Sequence, residues 1–236
     1  MTGSDKAVPW TAPDTLTLLS ETPFAAFGNV SGGRVEGILA DGQFVSLTED
    51  VKAATLIELA SAEGKPLDGD ELKSLIVKKN SKPGPDESAH HPALVQKMRQ
   101  LGLAMHNFHD TFRRFPQTTD PKNYDDSGRP LLSWRVHLLP FLDQKPLYDR
   151  FHLDEPWDSE HNKKLLDKMP QVFRSPNAIN DTKYPSYYGL TGASSGLGDG
   201  NGEKIRSFTD GTSNTVLVVG AKREIPWTKP EAVSYT

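Results

Sequence analysis

The chain has 236 residues, 36% of them hydrophobic, a formal net charge of −4 and no cysteine. That length holds one large domain or two small ones with enough apolar content for a core, and the interspersed charges form no basic stripe, which argues against nucleic acid as a partner. Without cysteine there is no disulfide, thiolate metal site or cysteine nucleophile; without a long apolar run or a charged-then-apolar leader, the chain as written is expected neither to span a membrane nor to carry its own export signal.

In chain order, residues 1 to 7 read as a lead-in. Val8-Pro9-Trp10-Thr11-Ala12-Pro13-Asp14 follows, an extended path fixed by two prolines around an indole that favours burial. Phe24 to Val30 is strand-like. Arg34 to Ala40 and Gln43 to Leu47 flank Asp41-Gly42, the pattern of a β-hairpin, with Val35, Phe44 and Leu47 facing a core. Such a hairpin is too small to stand alone. Thr48 to Ala62 changes to helical spacing through Val51, Thr55, Leu56 and Leu59, with Gly64 as a stop. A second short helix is expected over Gly69 to Lys78. Periodicity is then lost through the Lys, Pro and Gly of Lys78 to Ser88, so residues 78–91 read as a linker between a segment 1–77 and a main module 92–236.

Leu94 to Pro116 carries the clearest period in the chain. Leu94, Met98, Leu101, Met105, Phe108 and Phe112 step by fours and threes, one stripe on an amphipathic helix. Gln96, Lys97, Arg99, Gln100 and Asn107 face solvent or a neighbour. Downstream, Gln117 to Arg129 is loop-like and Leu131 to Leu142 is apolar enough to be buried, expected as a helix up to Pro140 with a buried strand as the alternative that periodicity alone leaves open. Gln144 to Phe151 and Ser159 to Met169, N-capped by Asp158, are short helices. Tyr184 to Thr191 and Thr215 to Lys222 are strands, the latter dense in β-branched residues. A long Gly-Ser-Asp loop, Gly192 to Asn214, lies between them.

The two ends share a pattern. Val8-Pro9-Trp10-Thr11-Ala12-Pro13-Asp14 and Ile225-Pro226-Trp227-Thr228-Lys229-Pro230-Glu231 both read apolar, Pro, Trp, Thr, any residue, Pro, acid, the mark of an internal repeat. The chain then holds about one module, cut at an unusual place.

Leu101-Gly102-Leu103-Ala104-Met105-His106-Asn107-Phe108-His109-Asp110, Phe115-Pro116, Leu132-Ser133-Trp134-Arg135-Val136, Leu139-Pro140-Phe141-Leu142-Asp143-Gln144, Pro156-Trp157-Asp158-Ser159 and Asp210-Gly211-Thr212-Ser213-Asn214-Thr215 together resemble the prepilin-like family of unknown function 1559, abundant in planctomycete bacteria. The Pro-Trp-Thr-x-Pro element, the strand after it and Ala40-Asp41-Gly42 resemble that family's C-terminal end. The resemblance implies an α+β fold like that of a type IV pilin or pseudopilin: a long helix packed on a small antiparallel sheet, here with an N-terminal hairpin-plus-helix segment. It also implies an extracytoplasmic location and protein partners, self included, in a surface or pilus-like assembly. The chain departs from the family in three ways. The apolar half-helix and prepilin leader are missing, Ser31 stands where members carry a histidine ten residues before Asp-Gly, and the family's cysteines are absent. If each module needs the hairpin and helix of its C-terminal end to cover its sheet, residues 8 to 65 supply them to residues 93 to 224 as a permuted unit; the rival is two separately folded parts joined by Lys78 to His91.

Chemistry-bearing clusters are few. His106 and His109 lie three apart beside Asp110, within reach of a metal-pair geometry, but Asp110 points away and helix packing is the expected role. Gly198-Asp199-Gly200-Asn201-Gly202-Glu203 places oxygen-bearing side chains at alternate positions, so Asp199, Asn201 and Glu203 form the candidate calcium loop; no other cofactor is expected. Asp210 to Asn214 reads as a turn in which Asp and Ser side chains bond nearby amides. Asp125-Asp126 and Asp154-Glu155 are expected to be solvated. No nucleophile elbow, zinc-protease motif, phosphate loop or dinucleotide pattern occurs. A non-enzymatic structural module is therefore expected. The alternative is a binding module for calcium, or for carbohydrate on a platform of Trp10, Trp134, Trp157, Trp227, Tyr187 and Tyr188, although these rings equally suit the core, where such bulk usually goes; a hydrolase ranks third.

Overall fold

A computed structural model describes residues 34–48, 51, 53–61, 91–116, 124, 126, 131–176, 184–191, 197, 204–221, 226–230 and 233–234. The expected strand at Phe24 to Val30, the second helix at Gly69 to Lys78 and nearly all of the linker lie outside these residues, as does most of Gln117 to Arg129.

The hairpin forms as its sequence predicts. Strand β1 (Arg34–Leu39) pairs antiparallel with β2 (Phe44–Thr48), from Arg34 opposite Thr48 to Ile38 opposite Phe44. Gly42 takes φ +82° in the turn, where its N–H donates to the Leu39 carbonyl at 2.9 Å, a backbone region that favours glycine. The Asp41 carboxylate accepts from the Gln43 N–H at 2.9 Å, the local bond that suits Asp to turns. Val35 and Leu47 are buried and Phe44 partly so. Helix α1 (Ala53–Ala60) is shorter than the spacing predicts, but it buries Val51 near its start together with Leu56 and Leu59.

A hairpin alone leaves both outer strand edges and one apolar face bare, and here the distant part of the chain covers the β1 edge and that face. Strand β4 (Val216–Gly220) pairs antiparallel with β1, setting Gly37 opposite Val219 and Ile38 opposite Val218, with a register shift before Leu39. Strand β3 (Tyr187–Thr191) pairs antiparallel with β4, and the two-residue β5 (Val233–Ser234) lies parallel to β3. The sheet order is β2-β1-β4-β3-β5. The N-terminal hairpin thus completes the sheet of the C-terminal half.

Helix α2 (His91–Phe112) crosses this sheet. Met98, Leu101, Ala104, Met105 and Phe108 are buried along the predicted stripe, and Gln96, Arg99, Gln100 and Asn107 are exposed. Lys97 meets a neighbour instead: its ammonium donates to the Arg174 carbonyl at 2.9 Å. The helix approaches the hairpin at Gly102, where an added Cβ would stand 3.3 Å from both the Gly42 carbonyl oxygen and a methyl of Ile38. It ends at Arg113, whose φ is +60° and whose N–H donates to the His109 carbonyl at 2.6 Å, a left-handed cap followed by Pro116. Among the described residues no helix is long and apolar enough to cross a membrane.

The far side of α2 is covered by short helices. Helix α3 (Trp134–Leu138) starts at Ser133, whose hydroxyl accepts from the Arg135 N–H at 3.3 Å. It does not stop at Pro140 but tightens into a 3₁₀ turn over Leu139–Leu142, because proline is tolerated in a first turn, where its missing N–H has no helical partner. Helix α4 (Lys145–Tyr148) and 3₁₀ turns at Asn162–Lys168 and Gln171–Phe173 follow. Asp158 is exposed and does not cap the Asn162–Lys168 turn, which begins at His161 without a side-chain cap. Tertiary anchoring of Asn162 fixes that turn instead. Its carboxamide, wholly buried, accepts from the His152 N–H at 3.0 Å and donates to the carbonyls of His152, Glu155 and Pro156 at 2.9 to 3.2 Å. The architecture is α+β, a long helix on a small, mainly antiparallel sheet.

Candidate functional site

A carbohydrate platform needs its aromatic faces exposed. Trp134, Trp227 and Tyr188 have 0% of their surface accessible and Tyr187 1%, Trp157 is partly buried, and Trp10 lies outside the described residues. Burial pushes the Tyr187 phenol well above its ordinary range. These described rings are core.

Trp227 fills a defined slot. Its indole N–H donates to the Leu166 carbonyl at 2.8 Å, its ring stacks on Phe173 at 6.1 Å, and Phe151 meets it edge-on at 5.8 Å. The next residue extends the attachment, since the Thr228 carbonyl accepts from the Ser133 N–H at 2.8 Å. A tryptophan in a Pro-rich stretch therefore closes the core from outside the sheet, satisfying its one polar atom with a backbone acceptor.

Arg135 gives no such warning in the sequence. It is wholly buried, with one guanidinium N–H donating to the Tyr187 carbonyl at 2.6 Å and another to the Ser133 hydroxyl at 3.2 Å. The plane lies 4.7 Å from the Trp134 ring and 4.9 Å from the Tyr188 ring. It joins helix α3 to strand β3. Only the neighbouring Ser-Trp pair hints at a buried cation, through its hydroxyl and its π-face.

The histidines of α2 surround Phe115: His106 meets it edge-on at 5.6 Å and His109 at 5.1 Å. Asp110 is exposed, 3.8 Å from His109 Nδ1. Among the described residues no three His, Asp or Glu side chains group closely enough to hold a metal ion. The ring of His109 is lodged against the 3₁₀ turn Ile205–Ser207, where its Nε2 faces the Ile205 N–H at 3.4 Å, a contact that requires an unprotonated Nε2.

Burial holds His109 below its ordinary 6.5, partly offset by Asp110 and reinforced by His106 and Arg113. The unfolded chain thus binds a proton below 6.5 that the native state excludes, so this contribution to stability is full above that value and falls as the pH drops toward the folded pKa. Urea unfolding at about pH 7.5 and about pH 5.5 is expected to show a smaller loss on acidification for His109→Gln than for the parent chain. An unchanged loss would mean that His109 is solvated.

Asp199, Asn201 and Glu203 lie outside the described residues. The Asp210 to Asn214 turn forms. The Asp210 carboxylate accepts from the Thr215 hydroxyl at 3.1 Å, and the Asn214 amide donates to the Asp210 carbonyl at 2.7 Å. Thr215 and Asn214 thus add side-chain bonds beyond the Asp and Ser bonds to nearby amides read from the sequence, because a buried carboxylate before an inner strand demands a partner. That burial raises the Asp210 pKa. The turn also receives the hairpin: the Asp41 N–H donates to the Thr212 carbonyl at 3.0 Å and the Ala40 N–H to the Thr215 carbonyl at 2.7 Å.

Asp154 is exposed, as expected, whereas the Glu155 carboxylate lies 2.8 Å from His152 Nδ1 and is held below the usual range by hydrogen bonds from Ser159 and then His152. An open groove of about 500 Å³ runs past Leu147, Arg150, Asp167, Lys168 and Arg174. It mixes charges of both signs and presents no paired acid and base. The exposed apolar surface lies elsewhere: Phe112 is 53% exposed, 4.5 Å from Phe108 and 6.2 Å from Phe141, and Leu103 is 63% exposed.

The sequence profile of the family described as "Protein of unknown function (DUF1559)" matches residues 96–231, and the chain belongs to that family. No curated protein matches the chain, and no solved structure does.

Proposed function

We propose that the chain is a non-enzymatic structural module of an extracytoplasmic assembly of the planctomycete prepilin-like type, a repeat that works through protein contacts. The observation that carries this reading is the distribution of aromatic surface. Trp134, Trp227, Tyr187 and Tyr188, on which a sugar would stack, are buried and Trp157 is partly so, while Phe112, beside Phe141 at the end of the long helix, is open. An exposed apolar ledge on a long helix suits contact with protein. The pairing of β1 with β4 supports the permuted arrangement, with residues 8 to 65 completing the sheet of residues 93 to 224.

Sedimentation from micromolar to millimolar concentration tests the reading. The parent chain is expected to self-associate, and Phe112→Ser to do so about tenfold less tightly, a difference of about 1.4 kcal/mol. A chain that stays monomeric throughout, and instead binds a glycan or calcium saturably, would replace assembly with the binding module.

A further inference from the structure

The C-terminal arm holds on at two points. Trp227 enters the slot between Phe151 and Phe173, and Val233 and Ser234 then pair with Leu190 and Thr191 at the sheet edge. The N-terminal stretch repeats both points at the same spacing. Pro9, Trp10, Thr11, Pro13 and Asp14 match Pro226, Trp227, Thr228, Pro230 and Glu231, and Leu16-Thr17 falls where Val233-Ser234 stands, again apolar then hydroxyl. The chain therefore carries this sequence pattern twice.

Such an arm has specific needs: a carbonyl for the indole N–H, aromatic rings against the indole, and an amide donor for the threonine carbonyl. Leu166, Phe173 with Phe151, and Ser133 meet them, and in this chain Trp227 occupies that place. A second copy offers the same slot and the same β3 edge. An arm from one copy replacing the arm of another makes the same kind of contacts, so the exchange is set mainly by concentration and linkage. Among the described residues the C-terminal arm's strand pairing covers two residue pairs.

We propose that Pro9–Thr17 is a second arm that seats in the Trp227 slot and on the β3 edge of another molecule of this chain, joining modules by arm exchange. This rests on the reading of the chain as an assembly module.

The test uses the full chain carrying Trp10→Ala and Trp227→Ala, which empties the slot and disables the competing arm, with a synthetic peptide spanning Ala7 to Leu18. Saturating peptide is expected to raise the melting temperature by about 5 °C or more, and the same peptide with alanine for its tryptophan to leave it unchanged. If the double variant does not fold alone, Trp10→Ala with Trp227→Phe keeps the slot filled by a smaller ring. Fluorescence anisotropy of labelled peptide on that variant is then expected to show binding, with the alanine peptide about 30-fold or more weaker. No melting shift and no anisotropy change overturns arm exchange. Sedimentation of the parent chain reads assembly through any surface. Self-association without peptide capture therefore removes arm exchange and leaves the assembly reading standing.

Discussion

Trp227→Ala is expected to destabilise the chain by about 3–5 kcal/mol, the range for truncating a buried aromatic. The indole is fully enclosed between Phe173 and Phe151. Its removal opens a void that those flat rings cannot close without leaving their own contacts. The Leu166 carbonyl, 2.8 Å from the indole nitrogen, also loses its donor. For a chain of this length that loss corresponds to a fall in melting temperature of roughly 10 °C. Trp227→Phe separates the two contributions. It keeps most of the ring and loses the N–H, so its cost is expected to be about 1–3 kcal/mol, the penalty for a buried acceptor left alone plus a smaller void. Chemical unfolding of both variants against the parent checks this. A loss below about 1 kcal/mol for the alanine variant would mean that the arm contributes little to the native state.

What the sequence makes legible is what repeats. The stripe from Met98 to Phe108 is buried as its period predicts, and the Asp41-Gly42 turn forms where the hairpin pattern puts it. Both are local: neighbours a turn apart, or across one strand pair, decide them. Long-range closure leaves fainter marks. That β1 pairs with β4 across nearly 180 intervening positions is foreshadowed only by the marginal size of the hairpin and by the repeated Pro-Trp-Thr element. Of the two roles the sequence leaves open for the aromatic residues, platform or core, Trp134, Trp227, Tyr187 and Tyr188 take the core. The sequence also passes over Asn162, a polar residue in a charged stretch whose carboxamide ties His152, Glu155 and Pro156 into one loop. Helical spacing over Ser159 to Met169 suggests an ordinary helix with a side-chain cap. The segment is 3₁₀ instead, and its first residue is tied to the preceding loop by that carboxamide and by its N–H donating to the Ser159 hydroxyl at 3.1 Å. Phe112 misleads in the opposite direction: it continues the stripe yet stands open at the helix end.

The same contrast between pattern and position makes Arg135 the second residue whose loss should be severe. Arg135→Lys is expected to cost about 2–4 kcal/mol although it conserves charge. The guanidinium reaches the Tyr187 carbonyl at 2.6 Å and the Ser133 hydroxyl at 3.2 Å while its Cζ stands over the Trp134 and Tyr188 rings, 4.7 Å and 4.9 Å from their centroids. A lysine ammonium is a compact donor on a flexible stem and cannot hold both bonds with a planar stack. Losing one charge-assisted bond accounts for about 1.5–3 kcal/mol and the weakened stacking for about 0.5–1 kcal/mol. The damage should spread along one route: Tyr187 opens β3, and β3 carries β4 on one side and the arm strand β5 on the other. Near-ultraviolet circular dichroism, which reports Trp134 and Tyr188 in fixed surroundings, is expected to weaken together with stability. Arg135→Met then distinguishes a clasp from a filler. It restores bulk and removes the buried charge but leaves the Tyr187 carbonyl without this donor, so a methionine variant as stable as the parent would show that volume alone is needed there. A loss close to that of the lysine variant would place the requirement in the guanidinium plane and its two bonds, the features that connect the helical layer to the sheet.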